Sequence, residues 1–144
     1  MTLDGKGRFA VPTRYRDALG GEGASLVVTI DTSDPCLLIY PTQAWHVIEE
    51  HVQQLPSFNA AARRIQRLLI GHATDVELDT SGRVLLPPLL RDYAHLEKNV
   101  VLIGQGNKFE LWSEEEWQTR RAAWLLMDTP EALSLPDELK TFSL

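Results

Sequence analysis

A single cysteine, Cys36, stands in 144 residues. An intramolecular disulfide is therefore impossible, and a reducing compartment suits the chain. Long hydrophobic runs are also missing. The apolar clusters Val100 to Ile103 and Leu68 to Ile70 fall far short of the about 20 residues a membrane span requires. The N-terminus shows no basic segment followed by an apolar stretch and a small-residue cleavage site, so no secretion signal is read there. Positive charge is in deficit, with a net charge of −6, which argues against indiscriminate binding of polyanions.

Catalytic and metal patterns are equally sparse. His46 and His51 share a helix face poorly, and with His72 and Cys36 they show no metal-ligand spacing. Lys6-Gly7 lacks the preceding glycine and following Ser/Thr of a phosphate-binding loop. No nucleophile–base pair stands out, so an enzyme ranks low among the readings. No metal, cofactor or small-molecule substrate is expected.

What is present is the balance of a globular protein, 44% apolar and 24% charged residues. The charge is uneven. Residues 1–71 hold seven Lys+Arg and seven Asp+Glu, whereas residues 72–144 hold seven against thirteen. Lys6, Arg8, Arg14 and Arg16 face only Asp4 and Asp17 within the first nineteen residues, which predicts a local basic surface.

Self-comparison is the most informative step. Leu3-Asp4-Gly5-Lys6-Gly7-Arg8-Phe9-Ala10-Val11-Pro12 aligns with Leu78-Asp79-Thr80-Ser81-Gly82-Arg83-Val84-Leu85-Leu86-Pro87. The register continues through Arg16-Asp17 and Arg91-Asp92. Leu26 to Ile30 then matches Val100 to Ile103, and Leu38-Ile39-Tyr40 with Trp45 matches Glu110-Leu111-Trp112 with Trp117. The common order of these matches indicates a duplication.

Each copy predicts the same elements. A turn holds Asp-x-x-Gly-Arg, with Gly7 or Gly82 supplying left-handed backbone. A short strand follows (Phe9 to Val11, Val84 to Leu86), then a proline stop and a brief helix (Tyr15 to Leu19, Leu89 to Ala94). Two strands come next, at about 26–31 and 36–40, or 99–104 and 108–112, the second pair joined through Gln105-Gly106-Asn107. A helix closes each copy. Ser113 with Glu116 reads as a capping box, and Thr42 as the first copy's cap before the stripe Trp45, Ile48, Val52. Ser57 is expected to cap a further helix over about 58–70, whose Arg63, Arg64 and Arg67 lie toward another face, where a solvated surface or a subunit contact is at least as good a reading as DNA contact. The four tryptophans are expected in packing rather than base stacking, and the tail Thr129 to Leu144 as short helix or a packed segment. Each copy alone is too small to bury much core, so the two should form one combined unit, like a dimer fused into one chain.

The signatures Asp4-Gly5-Lys6-Gly7-Arg8 and Asp79-Thr80-Ser81-Gly82-Arg83 resemble those of the MraZ family. So do Val11-Pro12-Thr13-Arg14-Tyr15-Arg16, Pro35-Cys36-Leu37-Leu38-Ile39-Tyr40-Pro41, the stretch Arg63 to Ala73, and Asn107-Lys108-Phe109-Glu110-Leu111-Trp112. The resemblance implies an α+β fold of two tandem swapped-hairpin AbrB-like β-barrel modules with pseudo-two-fold symmetry, each followed by helices. The corresponding division is a first module at 1–45, a helical connector at 46–71, a second module at 72–117, and a helix and tail at 118–144. It also implies a bacterial transcriptional regulator, in the cytoplasm and associated with the nucleoid. Such a protein forms ring-like homo-oligomers on short direct repeats of double-stranded promoter DNA and represses the division and cell-wall cluster that includes its own gene. Relatives carry an opening strand before the first signature, where only Met1-Thr2-Leu3 precede Asp4 here. Either the start is late or the first module is truncated.

Carried onto matching positions, the family's DNA contacts fall on Lys6, Arg8, Arg14 and Arg16, with Arg83 and Arg91 in the second copy. A guanidinium behind a tight turn binds phosphate as a fork or reads guanine O6 and N7 bidentately. Asp4 and Asp79 are expected to orient the turn and its arginine, together with Gly7 and Gly82. Against this stands a plain turn-closing Asp–Arg pair, as good a reading as DNA contact for Arg83. Lys6 has only Ser81 opposite it, so copy one is expected to be the better DNA-facing surface. An antitoxin-like protein of the same module type and a ring-forming scaffold without DNA binding are the remaining alternatives.

Overall fold

The computed structural model describes residues 1–106 and 108–127. Asn107 and the tail Thr129 to Leu144, expected as short helix or a packed segment, lie outside the described residues. In chain order, β1 (Arg8–Ala10), α1 (Thr13–Arg16), β2 (Ser25–Ile30), β3 (Leu37–Pro41) and α2 (Thr42–Gln53) form the first copy. α3 (Ala60–Ile65) runs directly into a π-helical turn (Gln66–Ile70). The second copy follows as β4 (Thr74–Glu77), β5 (Arg83–Leu85), α4 (Pro88–Tyr93), β6 (Val100–Gly104), β7 (Phe109–Ser113) and α5 (Glu114–Leu125). The fold is therefore α+β, and its described strands form two antiparallel sheets: a two-stranded ribbon, β1-β5, and a five-stranded sheet in the order β4-β2-β3-β7-β6.

The two copies pair with each other at every level. In the ribbon, Phe9 lies opposite Val84, with Arg8 opposite Leu85 and Ala10 opposite Arg83. In the larger sheet, Leu38 lies opposite its own repeat counterpart Glu110 at the β3–β7 junction. The opening segments cross over as well. β4 of copy two pairs with β2 of copy one, and Thr2 of copy one bridges Asn99, just ahead of β6. A two-fold operation relating the copies accounts for all of these registers.

Packing follows from that exchange. Phe9, Val11, Val84 and Leu86 point inward from the ribbon and join Leu26, Val28, Ile39, Leu90, Val100 and Leu111 in one core drawn from both copies. On the opposite sheet face, Val27, Leu38 and Tyr40 pack against Trp45 and Ile48 of α2 and Leu69 and Ile70 of the π-helical turn. Because β2 and β3 are covered on both faces, they read as nearly unbroken apolar runs instead of alternating ones. No helix among the described residues is long and apolar enough to cross a membrane.

The helix starts test the cap assignments. Ser113 Oγ accepts from the Glu116 backbone N–H at 3.3 Å, as expected. Thr42, however, is the first residue of α2, not its cap. Pro41 precedes the helix, and Thr42 Oγ1 donates to Ser25 Oγ instead. Ser57 is displaced as well, because Asn59 Oδ1 accepts from the N–H groups of Ala61 and Ala62 at 2.9 and 3.2 Å. The helix expected over 58–70 thus starts later, and its second half is widened. Thr29, fully buried in β2, donates to the Leu69 carbonyl at 2.6 Å, and His72 Nδ1 donates to that of Leu68 at 2.7 Å. These side chains satisfy carbonyls near the end of the helix.

Candidate nucleic-acid interface

Each Asp-x-x-x-Arg segment is a compact turn organised by its aspartate. Asp4 Oδ1 accepts from the backbone N–H groups of Lys6 and Arg8 at 2.9 and 3.0 Å, and Asp4 Oδ2 accepts from Arg8 Nε at 2.8 Å. Asp79 repeats the backbone pattern with Ser81 and Arg83, both at 2.8 Å. The Arg8 backbone N–H holds the Asp4 carboxyl well below its ordinary range, at about 2, with help from the Lys6 N–H and the Arg8 side chain and against a smaller desolvation effect. The Asp79 carboxyl is lowered in the same direction, chiefly by the Arg83 N–H. Both aspartates, expected to orient the turn, accept hydrogen bonds from its backbone.

The ion pairs use only one nitrogen of each arginine. Arg8 donates Nε to Asp4, while its two terminal nitrogens have no hydrogen-bond partner among the described residues. The copy-two pair is looser: Arg83 Nε lies 3.4 Å from Asp79 Oδ2 and makes no hydrogen bond. Alternation along the ribbon turns Phe9 and Val84 into the core, so Arg8, Ala10, Arg83 and Leu85 share its outer face. Arg8 and Arg83 are therefore diagonal neighbours related by the pseudo-two-fold axis. An antiparallel ribbon of this kind fits the major groove of B-form DNA.

Arg16 and Arg91 have a more specific place than the sequence suggested. Arg16 Nε donates to the Val11 carbonyl at 2.9 Å, and Arg91 Nε donates to that of Leu86 at 3.1 Å. Each guanidinium then lies on the glycine of the other copy's turn. A Cβ on Gly7 would meet Arg91 Cζ at 2.6 Å, and one on Gly82 would run into Arg16 Cζ. Both glycines also have positive φ, 86° and 74°. They are thus needed twice: for the left-handed turn and for the arginine pressed against it. Only the first need is visible in a linear sequence. The other candidates stand apart. Lys6 is exposed on the turn, and Arg14 is exposed on α1 with its guanidinium 4.7 Å from the Tyr15 ring centroid.

One cluster was invisible in the linear spacing. Asp31, Cys36 and Glu110 bring one potential ligand atom each within 4.8 Å of one another. Hydrogen bonding accounts for it. The Cys36 thiol donates to Asp31 Oδ2 at 3.5 Å, and Glu110 accepts from Trp112 Nε1 at 3.0 Å. Burial, with Asp31 and Glu110 nearby, pushes the thiol far above its ordinary range, so it stays protonated at neutral pH. The tryptophans pack as expected: Trp112, Trp117 and Trp124 meet pairwise edge to face with centroids 5.8 Å apart.

The duplicated turns, the shared ribbon and the exchanged strands define a two-repeat α+β protein with an arginine-bearing outer ribbon. A family model described as "MraZ protein, putative antitoxin-like" matches residues 1–68 and again 69–128. Proteins named transcriptional regulator MraZ align with the full chain over 95% of their own length. The one from Legionella pneumophila (strain Corby) is 63% identical, that from Coxiella burnetii (strain Dugway 5J108-111) 54%, and that from Alkalilimnicola ehrlichii 52%. The chain belongs to the MraZ family.

Proposed function

We propose that this protein is a sequence-specific DNA-binding transcriptional regulator whose contact element is the β1–β5 ribbon. The observation that carries the reading is the placement of Arg8 and Arg83 as diagonal neighbours on one outer face, Arg8 anchored to Asp4 through Nε and Arg83 lying beside Asp79, with the terminal nitrogens of both unengaged among the described residues. A fork held in that way is prepared to meet guanine O6 and N7 with little further loss of side-chain freedom. Lys6 and Arg14 supply phosphate contacts at the flanks. Arg16 and Arg91, seated on the opposite turns, fix the two forks relative to each other and complete the basic surface. The exchange of strands between copies supports an AbrB-like swapped-hairpin arrangement closed within one chain.

By the family likeness, the target is a set of short direct repeats upstream of the division and cell-wall cluster, including the protein's own promoter. The effect is repression, in the cytoplasm and at the nucleoid. One chain offers few phosphate contacts, so its non-specific affinity should be no better than about micromolar at physiological salt. A ring-like homo-oligomer on adjacent repeats raises the effective concentration of each further contact and supplies the missing affinity.

Footprinting on the DNA upstream of the gene tests the function, and protection of tandem short repeats is the expected result. Arg8→Ala tests the site. It should lower operator affinity at least tenfold, the scale of one lost bidentate base contact, while leaving the native mass unchanged. Unaltered gel-shift affinity for that variant would remove Arg8 from the interface.

A further inference from the structure

The outer face of the ribbon carries one large apolar side chain. Leu85 is 54% exposed, although its neighbours Val84 and Leu86 are fully buried. It stands directly opposite Arg8. Its repeat counterpart is Ala10, which stands opposite Arg83. The pseudo-two-fold ribbon is thus chemically unequal, with an Arg–Leu pair at one end and an Arg–Ala pair at the other. Leu85 also borders a shallow cleft with Ser25, Val76, Asp75 and Glu77. The two carboxylates disfavour a phosphate at that spot, so the Leu85 flank suits base edges better than backbone.

We propose that Leu85 is a specificity-determining residue that packs on the 5-methyl group of a thymine next to the base read by Arg8. The inference rests on the ribbon being the DNA-contact element. The thymine methyl is the apolar group that the major groove offers, and cross-strand neighbours reach adjacent positions there. Ala10 offers a single methyl at the mirrored place and gains less from the same contact. A symmetric ribbon would read a palindrome. The Leu85/Ala10 difference, together with Lys6 against Ser81, makes the two ends read different bases. One ribbon then recognises a directional element, the kind from which direct repeats are built.

The test uses the full chain and duplexes carrying the footprinted repeats, with thymines replaced singly by deoxyuridine, which removes the methyl and nothing else. Wild-type protein should lose about fourfold in affinity at one thymine per repeat, the effect of one buried methyl-sized group. Leu85→Ala should bind thymine and uracil equally at that position, and Leu85→Met should keep the discrimination. Wild-type binding indifferent to every replacement overturns the proposal while leaving DNA binding intact. So does a Leu85→Ala variant that still discriminates, or one whose native mass changes with discrimination kept, which would assign Leu85 to a contact between copies. Protection of no DNA at all would instead overturn the DNA-binding reading and this proposal with it.

Discussion

Asp4 links charge to the shape of the turn. Its Oδ1 accepts from two backbone N–H groups and its Oδ2 from one guanidinium nitrogen, so protonation cancels the charge that strengthens all three bonds and weakens them together. The folded group titrates at about 2 against an ordinary 3.8, chiefly because the Arg8 N–H favours the charged form. A depressed carboxylate pKa contributes stability that is complete above the unfolded value and is lost as pH falls through the folded one. The stability that this charge contributes should therefore be complete from neutral pH to about 4 and fall away progressively as pH drops to about 2, where the carboxyl is half-protonated. An NMR titration that follows the Asp4 carboxyl carbon and the Arg8 amide proton checks this. A shared midpoint near 2 is expected, and a midpoint at the ordinary carboxylate value would mean that the turn holds no charge in place. This role was legible in the sequence because an aspartate capping its own turn acts within four residues. The looser fit of Arg83 was not legible, since Asp79 and Arg83 have the same spacing as Asp4 and Arg8.

At the scale of elements, the ribbon depends on a reciprocal clasp. Arg16 leaves α1, bonds the Val11 carbonyl and covers Gly82; Arg91 leaves α4, bonds the Leu86 carbonyl and covers Gly7. Gly82→Ala should be destabilising for two separable reasons. Left-handed backbone costs an alanine about 1–2 kcal/mol, and the new methyl must push Arg16 off its seat. In an Arg16→Ala background the second reason disappears. The Gly82→Ala cost should then fall by about 1 kcal/mol, the net value of the hydrogen bond that Arg16 no longer has to lose. Urea melts of the four proteins in this cycle read the difference, and strict additivity would show that the new methyl does not unseat Arg16. The strands and their turns were legible because Gly-Arg followed by Pro punctuates each copy. The clasp was not, since it joins residues 66 to 84 positions apart in the chain and no local pattern points across that gap. The widened helix end at Gln66–Ile70 was hidden for the same reason: its carbonyls are satisfied partly by Thr29, 40 residues away from Leu69.

For the whole molecule, duplication and exchange have different visibility. Matching residues in matching order reveal two copies, and the limited core of each implies that they combine. Which strand of one copy meets which strand of the other depends on a two-fold axis that sequence alignment does not carry. The consequence is physical. Residues 1–71 alone would leave β1 without β5, β2 without β4 and β3 without β7, and would expose Phe9, Val11 and Ile39. As a monomer that fragment should give no cooperative unfolding transition. The same symmetry offers it one rescue: two copies of β1 can pair with each other in the register β1 now makes with β5. The fragment should thus fold only as a dimer, with a melting temperature that rises with concentration, or as a heterodimer when mixed with residues 72–144. Circular dichroism melts over a hundredfold concentration range, with native mass measured alongside, separate these cases. A folded monomer with a concentration-independent transition would show that each copy closes its own core. The exchanged strands would then add to a stability that each half already possessed, and the unequal ends of the ribbon would be free to move independently on DNA.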